Sequence, residues 1–394
     1  MHGERRQRKP RNCTAYRAVL LSRPSPKNIL QEAPNAMAVI PAQKLQSIVQ
    51  ETFVKAGCSP EEGERIASHL VMANLSGHDS HGVIRVPVYI GWLKEGLVEA
   101  NKDVKVVTDT PVLAVVDGQY GFGQSTAPQA VRIGIEKCKA MGLSAVALRN
   151  TGHIGRIGAW AEMAAAEDLV SVHFVNAAGS ILVAPFGAVE RRFSTAPFSV
   201  GVPRPGQPPI ILDFATSLVA EGKVLVASRG GKALQSDALI GPAGKIGNDP
   251  TLLYGPYEQD GARNHRLGEG AIRAFGEHKG SGLAMMCELL GGSLTGTGAT
   301  EEGRRFSNGM LSFYIDAKRL GTADFFSADI ARYVDYVKSA KPVTEGGEVL
   351  VTGEPELRSR KKRMADGVPL ADDAWAAIRA TAREVGVAEE RLKI

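Results

Sequence analysis

One stretch decides the fold class: Leu143-Ser144-Ala145-Val146-Ala147-Leu148-Arg149, which continues directly into Asn150-Thr151-Gly152-His153-Ile154-Gly155-Arg156. The first seven residues are apolar enough for a buried strand, and the alanine-rich residues 158–167 beyond the second seven predict a helix. Residues 127–141 also predict a helix, which Gly142 ends as a C-cap. Helix, strand and helix in this order indicate an α/β layer.

The sequence on either side extends this pattern. Further strands are predicted at residues 112–116, 169–175 and 209–213, and helices at residues 41–75, 279–294 and 371–385. Because helices lie at both ends of the chain, we expect the N- and C-terminal parts to pack together around an inserted α/β region. The predicted domains are a mostly helical one, residues 37–108 plus 300–394, and an α/β cofactor-binding one, residues 109–299.

The charge balance separates a leader from the body of the protein. The chain has 394 residues and a formal net charge of +5, with an ordinary globular composition. Residues 1–36 carry a net charge of +6, which leaves −1 for the rest, so the body gives no reason to expect a nucleic-acid partner. We expect residues 1–36 to be a dispensable, non-structural leader with the functional start at Met37; the alternative is an organelle transit segment.

Two further observations limit the class of protein. No stretch approaches the roughly 20 apolar residues that a membrane-spanning helix needs, so no membrane partner is expected. The four cysteines are widely spaced and form no C-x-x-C motif. This pattern argues against a disulfide framework or a zinc site and favours a reduced, cytoplasmic protein.

The segment Gly77–Arg85 contains the first candidate site residues, Ser80, His81 and Arg85. Histidine exchanges a proton near neutral pH, arginine offers a planar fork to a carboxylate, and Ser80 can bond His81 and select its tautomer. If residues 81–89 begin a helix, His81 and Arg85 share one face. The structural alternative is a capping serine, a surface histidine and a solvated arginine.

Three later segments carry related signals. Gly152, His153 and Gly155 follow the strand 143–149, where ligands of α/β sheets gather and glycines permit close approach. Asp213 ends a strand and can orient a histidine, bond a ribose or cap a helix. In Gly276–Leu283, glycines and Lys279 open a helix, which suits a pyrophosphate or nicotinamide.

Other patterns were weighed against these. The dinucleotide fingerprint G-x-G-x-x-G and the P-loop are absent, so a nicotinamide enzyme with this sequence cannot use a Rossmann site. His78, Asp79 and His81 have a spacing that occurs in metal-dependent hydrolases. No second cluster completes such a ligand set, and we expect no metal.

Together the four segments resemble the type 2 malate/L-lactate dehydrogenase family, from about Met37 to the C-terminus. The family's S-H-G-x-x-R, G-H-x-G, D-x-A-T-S and K-G-x-G-L motifs match segments that begin at Ser80, Gly152, Asp213 and Lys279. The resemblance implies a non-Rossmann fold, a homodimer, and relatives that include sulfolactate, ureidoglycolate and diketogulonate dehydrogenases and piperideine-2-carboxylate reductase.

The resemblance also implies roles for residues. The expected activity is hydride transfer between NAD or NADP and a small 2-oxo or 2-hydroxy carboxylate such as malate, lactate or sulfolactate. The alternative is NADPH-dependent reduction of a cyclic imine carboxylate. Arg85 is expected to hold the carboxylate, and His81 or His153 to donate the proton. Further roles are support for His81 from Ser80 and Asp213, and contact with the cofactor from His153, Gly155, Asp213, Phe214, Ala215 and Lys279.

Two segments depart from the family pattern. Ser194-Thr195-Ala196-Pro197 replaces the usual G-T-N-P, and Thr352-Gly353-Glu354 replaces P-G-E. The first is expected to alter the substrate pocket and the second a cofactor loop.

Overall fold

The structure is a computed structural model that describes residues 37–229, 233–256 and 264–393; the predicted leader, residues 1–36, lies outside them. The chain begins with β1 (Met37–Ile40), α1 (Ala42–Lys55), α2 (Pro60–Leu75), two 3₁₀ turns (Asp79–His81 and Val83–Arg85) and α3 (Val86–Lys94). Ser59 caps α2: its hydroxyl accepts a hydrogen bond from the Glu62 backbone at 3.1 Å.

The middle of the chain alternates strands and helices. Its elements are β2 (Lys105–Asp109), β3 (Leu113–Asp117), α4 (Gly123–Met141), β4 (Leu143–Thr151), α5 (Gly158–Ala165), β5 (Val170–Ala178), β6 (Val183–Ala184), β7 (Phe198–Val202), β8 (Ile210–Phe214), α6 (Glu221–Arg229), β9 (Leu239–Ile240), β10 (Ile246–Gly247), α7 (Thr251–Tyr254) and β11 (Ala271–Arg273). The predicted α/β layer is therefore present, with boundaries shifted by a few residues.

The C-terminal part adds one long strand and several helices. These are α8 (His278–Cys287), a π-helical turn (Glu288–Ser293), β12 (Ser307–Ile315), α9 (Ala323–Lys338), α10 (Glu354–Asp366), β13 (Val368–Ala371), α11 (Asp372–Glu384) and a 3₁₀ turn (Glu389–Leu392). In the described residues no helix is both long and apolar enough to cross a membrane.

The main sheet of the described residues has the strand order β2-β3-β4-β12-β5-β7-β8. Only the β3–β4 pair is parallel, and α4 connects these two strands across one face. β12 pairs antiparallel with both β4 and β5, which places it at the centre of the sheet. The prediction that residues 300–394 belong to a mostly helical part is therefore wrong for Ser307–Ile315, because these residues supply a central strand.

The two ends of the chain meet outside this sheet. β1 pairs antiparallel with β13 and brings Met37 opposite Ala371. The predicted apolar faces of α1 and α2 are buried in one core together with Trp375, Ile378 and Ala382 of α11. The candidate site residues lie in four segments: the turns before α3, the loop after β4, the end of β8 with the residues that follow it, and the start of α8.

The predicted helix 279–294 is not continuous. α8 ends at Cys287 and the chain continues as a π-helical turn. The buried Glu288 carboxylate accepts hydrogen bonds from the backbone and hydroxyl of Ser194 and from the Thr300 backbone. A side chain at Gly291 would collide with the β5 backbone, so the turn packs directly on the sheet.

The buried ring of His173 in β5 is expected to make the free energy of unfolding depend on pH. Its ring is fully buried between the hydroxyls of Ser171 and Ser312, and burial lowers its pKa to about 3. Because the unfolded chain takes up this proton near pH 6.5 and the folded chain does not, stability is complete above pH 6.5 and falls as the pH decreases toward 3. The loss is about 2 kcal/mol at pH 5.

This expectation is checked by urea unfolding at pH 8 and pH 5. His173→Gln keeps a hydrogen-bonding side chain but does not titrate. Between pH 8 and pH 5, its free energy of unfolding should therefore fall by about 2 kcal/mol less than that of wild type. An equal fall in both proteins would show that His173 does not contribute to acid sensitivity.

Candidate active site

The loop between α2 and α3 carries Ser80, His81 and Arg85. Gly82 separates its two 3₁₀ turns, and a side chain at that position would collide with Asn74. Asn74 instead accepts a hydrogen bond from the Val83 backbone at 2.8 Å. A glycine is required here because the end of α2 supports the loop directly.

His81 and Arg85 do not share a helix face, so this part of the prediction is wrong. The backbone at Gly82 is extended, with ψ of −156°, and interrupts any helix that starts before it. The two side chains are related through Ser80 instead. The Arg85 Nε donates to the Ser80 carbonyl at 2.7 Å, and the Ser80 hydroxyl lies 3.0 Å from His81 Nδ1.

The second segment meets the first at a pair of histidines. The rings of His81 and His153 are stacked, with centroids 5.6 Å apart and planes inclined by 14°. Asn308 of β12 fixes the His153 loop, because its side-chain oxygen accepts from the Ile154 backbone at 2.9 Å. Two motifs separated by about 70 residues are thus brought into one site.

Tyr89 and Gln124 position His153, and sequence reasoning missed both. The Gln124 amide donates to the His153 carbonyl at 2.9 Å and to the Tyr89 hydroxyl at 3.2 Å. The Tyr89 hydroxyl lies 2.6 Å from His153 Nδ1 and shares a hydrogen bond with it. These contacts occupy Nδ1 of the ring with a protein partner.

Electrostatics keep both imidazoles neutral before a ligand binds. Burial, together with the smaller effect of the Arg85 guanidinium, lowers the pKa of His81 to about 3. The same two causes hold the pKa of His153 well below its ordinary value. A bound carboxylate would offset the Arg85 charge, so anion binding should favour proton uptake at this site.

Arg85 has a partner that the sequence did not indicate. Its Nη2 lies 3.5 Å from Glu221 Oε2, and both side chains are largely buried. Glu221 begins α6, and its other oxygen accepts a hydrogen bond from the Tyr254 hydroxyl. An acid at the start of a helix usually indicates only a favourable helix dipole, so spacing gives no signal for this contact.

Gly152 and Gly155 are required for protein packing, not for ligand approach as predicted. A side chain at Gly152 would collide with the Gly121 carbonyl. One at Gly155, where φ is +71°, would collide with the His69 ring. His69 accepts a hydrogen bond from the Arg156 backbone at 3.0 Å, so protein atoms fill the space beside Gly155.

Asp213 is buried but does not bond either histidine. Its Oδ2 accepts from the Gly158 backbone at 2.8 Å, at the start of α5, and lies 3.8 Å from Arg156 Nη1. Burial raises the pKa of this carboxyl. The prediction that Asp213 orients a histidine is therefore wrong: it caps a helix other than the one that follows it in sequence.

The segment that contains Phe214 and Ala215 lies beside the segment that leads to Lys279. The Phe275 backbone donates to the Thr216 carbonyl at 3.0 Å, and the Phe275 ring packs edge-on against Phe214. Lys279 is exposed in the first turn of α8. The space beside Gly282 is open, and at Gly276 the nearest group is the Lys279 side chain, 4.0 Å away. Open backbone and a cation at a helix N-terminus suit a phosphate group, so these residues fit a nicotinamide dinucleotide.

The metal-dependent alternative has no geometric support. His78 bonds Glu356 at 3.1 Å, and Asp79 accepts two hydrogen bonds from the Arg363 guanidinium at 2.6 and 3.0 Å. Both partners belong to α10, which holds the loop in place. The part of the chain that the structure describes contains no group of three or more His, Cys, Asp or Glu residues arranged to bind a metal.

The two departures from the family pattern lie beside the site. Ala196 is buried with φ of +37°, and its carbonyl accepts from the Thr216 hydroxyl at 2.9 Å. A left-handed backbone suits the usual asparagine better than alanine. Thr352 donates to the Ile211 carbonyl at 2.8 Å, so the second departure contacts β8, whose last residues are Asp213 and Phe214.

Comparisons with known proteins show which family the chain resembles. Residues 40–379 match the family model described as malate/L-lactate dehydrogenase. Hydroxycarboxylate dehydrogenase B of Escherichia coli O157:H7 is 38% identical over 359 residues, which cover 89% of this chain and 96% of that protein. Other relatives are named malate, L-lactate and L-sulfolactate dehydrogenases.

Two solved structures show the same fold. Malate dehydrogenase from Pyrococcus horikoshii OT3 matches with a TM-score of 0.77 and 26% identity, over 91% of this chain and 99% of that one. The delta1-piperideine-2-carboxylate reductase from Pseudomonas syringae matches with a TM-score of 0.72 and 27% identity, over 87% and 99%. The chain belongs to the malate/L-lactate dehydrogenase family.

Proposed function

We propose that this protein is an NAD(P)-dependent dehydrogenase that transfers a hydride between the nicotinamide and C2 of a small 2-oxo or 2-hydroxy carboxylate. The observation that carries the proposal is the stacked pair His81 and His153, which Ser80 links to Arg85. Such a site offers a carboxylate anchor, a proton donor and a second hydrogen-bond donor, which the reduction of a ketone requires. The names of the relatives agree with this chemistry.

Arg85 is the carboxylate anchor. Its Nε is occupied by the Ser80 carbonyl and its Nη2 faces Glu221, whereas Nη1 has no protein hydrogen bond within the described ranges. These contacts fix the plane of the guanidinium and leave the Nη1 side for the substrate carboxylate. A fixed plane favours a two-point contact, which a lysine cannot reproduce.

His81 is the group that exchanges the proton. The Ser80 hydroxyl bonds His81, and the Ser80 carbonyl accepts from Arg85, so His81 is linked directly to the carboxylate anchor. The Ser80 hydroxyl both donates and accepts, and it can therefore stay bonded to His81 in either protonation state. In this proposal His153 stays neutral with Tyr89 as the donor to Nδ1, and its Nε2 proton stabilises the developing alkoxide while His81 supplies the proton.

The cofactor supplies or accepts the hydride when bound. Lys279 and the open backbone of Gly276 and Gly282 would hold its phosphates, and Phe214 and Ala215 would line the adjoining surface. His153 would face the cofactor from the opposite segment. Gly155 and Asp213 would support this surface indirectly, since both contact protein groups.

Reduction of a cyclic imine carboxylate with NADPH is the second candidate. It is favoured by the similarity to the piperideine-2-carboxylate reductase structure. The same Arg85 would hold the carboxylate, and His81 would supply the proton that the ring nitrogen takes up.

We also propose a cytoplasmic homodimer. The described cysteines Cys58, Cys138 and Cys287 are free thiols, which suit a reducing compartment. Phe325, Tyr333 and Tyr336 are exposed on α9 and would be protected by a second copy.

A panel of 2-oxo acids and cyclic imines, each assayed with NADH and NADPH at the nicotinamide absorbance, tests the function. We expect consumption of at least one cofactor with a 2-oxo acid, at a higher kcat/KM than with any imine. Turnover of imines alone would favour the second candidate, and oxidation of neither cofactor by any member would refute both.

A further inference from the structure

Glu221 lies at the candidate anchor, where the proposed chemistry uses it only to hold the plane of the Arg85 guanidinium. Its side chain is 15% exposed, and its Oε2 lies 3.5 Å from Arg85 Nη2. The Tyr254 hydroxyl holds its other oxygen. At Gly222, the next residue, an added side chain would collide with Ser80, so α6 packs closely against the loop that carries His81. The carboxylate is therefore fixed beside the anchor.

Because Glu221 lies beside Arg85, it changes the net charge of the site that a substrate enters. Arg85 carries one positive charge, and Glu221 compensates it before any ligand binds. His81 and His153 are neutral, since burial lowers the pKa of both. One substrate carboxylate already makes the group of Arg85, Glu221 and the two histidines net negative, and a second anionic group would enter beside the fixed charge of Glu221.

Two neighbouring arginines already bond other protein groups. Three N–H groups of Arg191 donate to the carbonyls of His265, Gly268 and Gly270, which directs its guanidinium to the backbone. Arg156 is buried and forms ion pairs with Glu162 and Asp213.

We propose that Glu221 is a specificity-determining residue that selects 2-oxo and 2-hydroxy monocarboxylates over dicarboxylates and sulfonated analogues. The inference rests on the proposed function and narrows it to one substrate class. A second carboxylate or a sulfonate meets the fixed charge of Glu221, whereas a neutral substituent does not.

The test compares 2-oxobutyrate with oxaloacetate, in which a carboxylate replaces the terminal methyl group. Wild type should prefer 2-oxobutyrate in kcat/KM by at least about tenfold. Glu221→Gln keeps the size of the side chain and an oxygen for Tyr254, but removes the charge. It should shift the ratio of the two kcat/KM values toward oxaloacetate by about ten- to a hundredfold.

Two controls separate charge at this position from other effects. Glu190→Gln removes an exposed carboxylate that pairs with Arg192, and it should leave the ratio unchanged. The wild-type preference should also weaken as KCl rises from 50 to 500 mM, because salt screens repulsion, and Glu221→Gln should respond less. A structural defect would lower both kcat/KM values together and would not move their ratio.

The outcomes separate the inference from the function on which it rests. If wild type reduces both acids and prefers oxaloacetate, or if Glu221→Gln leaves the ratio within about twofold, Glu221 does not select the substrate and the proposed function stands. If neither acid nor any other 2-oxo acid is reduced with either nicotinamide, the proposed function fails and the inference fails with it.

Discussion

His81→Ala is expected to lower kcat by roughly 10²–10⁴, which is the usual contribution of a positioned proton donor. The ring of His81 stacks on His153 and bonds the Ser80 hydroxyl, which can stay bonded to the ring in either protonation state. KM for the 2-oxo acid should change much less, because Arg85 remains. Steady-state kinetics with saturating cofactor measure both parameters.

Two companion variants make this assignment specific. Ser80→Ala should retain part of the activity and shift the pH dependence of kcat, because it removes the partner of Nδ1 and leaves the ring. His153→Ala should lower kcat less than His81→Ala, since it removes a hydrogen-bond donor and not the proton source. If His153→Ala abolishes turnover while His81→Ala mainly raises KM, the two histidines have been assigned in the wrong order.

Arg85→Lys is expected to lower kcat/KM about ten- to a hundredfold, although the charge is kept. A lysine loses the planar fork and the hydrogen bond from Nε to the Ser80 carbonyl, and one charge-assisted hydrogen bond is worth roughly 1.5–3 kcal/mol. Arg85→Ala should cost more and raise KM for the carboxylate. The affinity for the nicotinamide, measured by fluorescence titration, should barely change.

Arg149→Lys is the matched control for this exchange. Arg149 forms an ion pair with Asp117 at the end of β4 and does not touch the histidines. Its replacement should leave kcat/KM within about twofold of wild type. If Arg85→Ala weakens the nicotinamide and leaves the KM of the 2-oxo acid alone, Arg85 belongs to the cofactor site and does not anchor the carboxylate.

Periodicity and the motifs predicted the parts of the molecule that depend on local sequence. The strand at residues 143–149, the C-cap at Gly142 and the apolar faces of α1 and α2 all lie where the pattern indicated. The contact between Ser80 and His81 was also predictable, because adjacent side chains need only a suitable turn.

Contacts made across the fold were not predictable from spacing. β12 enters the centre of the sheet from a segment expected to be helical, because strand pairing is decided by distant partners. Tyr89, Gln124 and Glu221 reach the site from helices whose local pattern indicates only packing or capping. Gly155 and Asp213 were expected at a ligand, yet a ring and a helix N-terminus occupy their surroundings.

The central claim is direct hydride transfer between the nicotinamide and C2 of the substrate. It is tested most directly with nicotinamide cofactor, reduced and stereospecifically deuterated at C4, and a 2-oxo acid that the enzyme turns over, with the product analysed by mass spectrometry. We expect one of the two C4 deuterated forms to give a 2-hydroxy acid with a single deuterium at C2, and the other to give none. Product without deuterium from both forms would contradict the account.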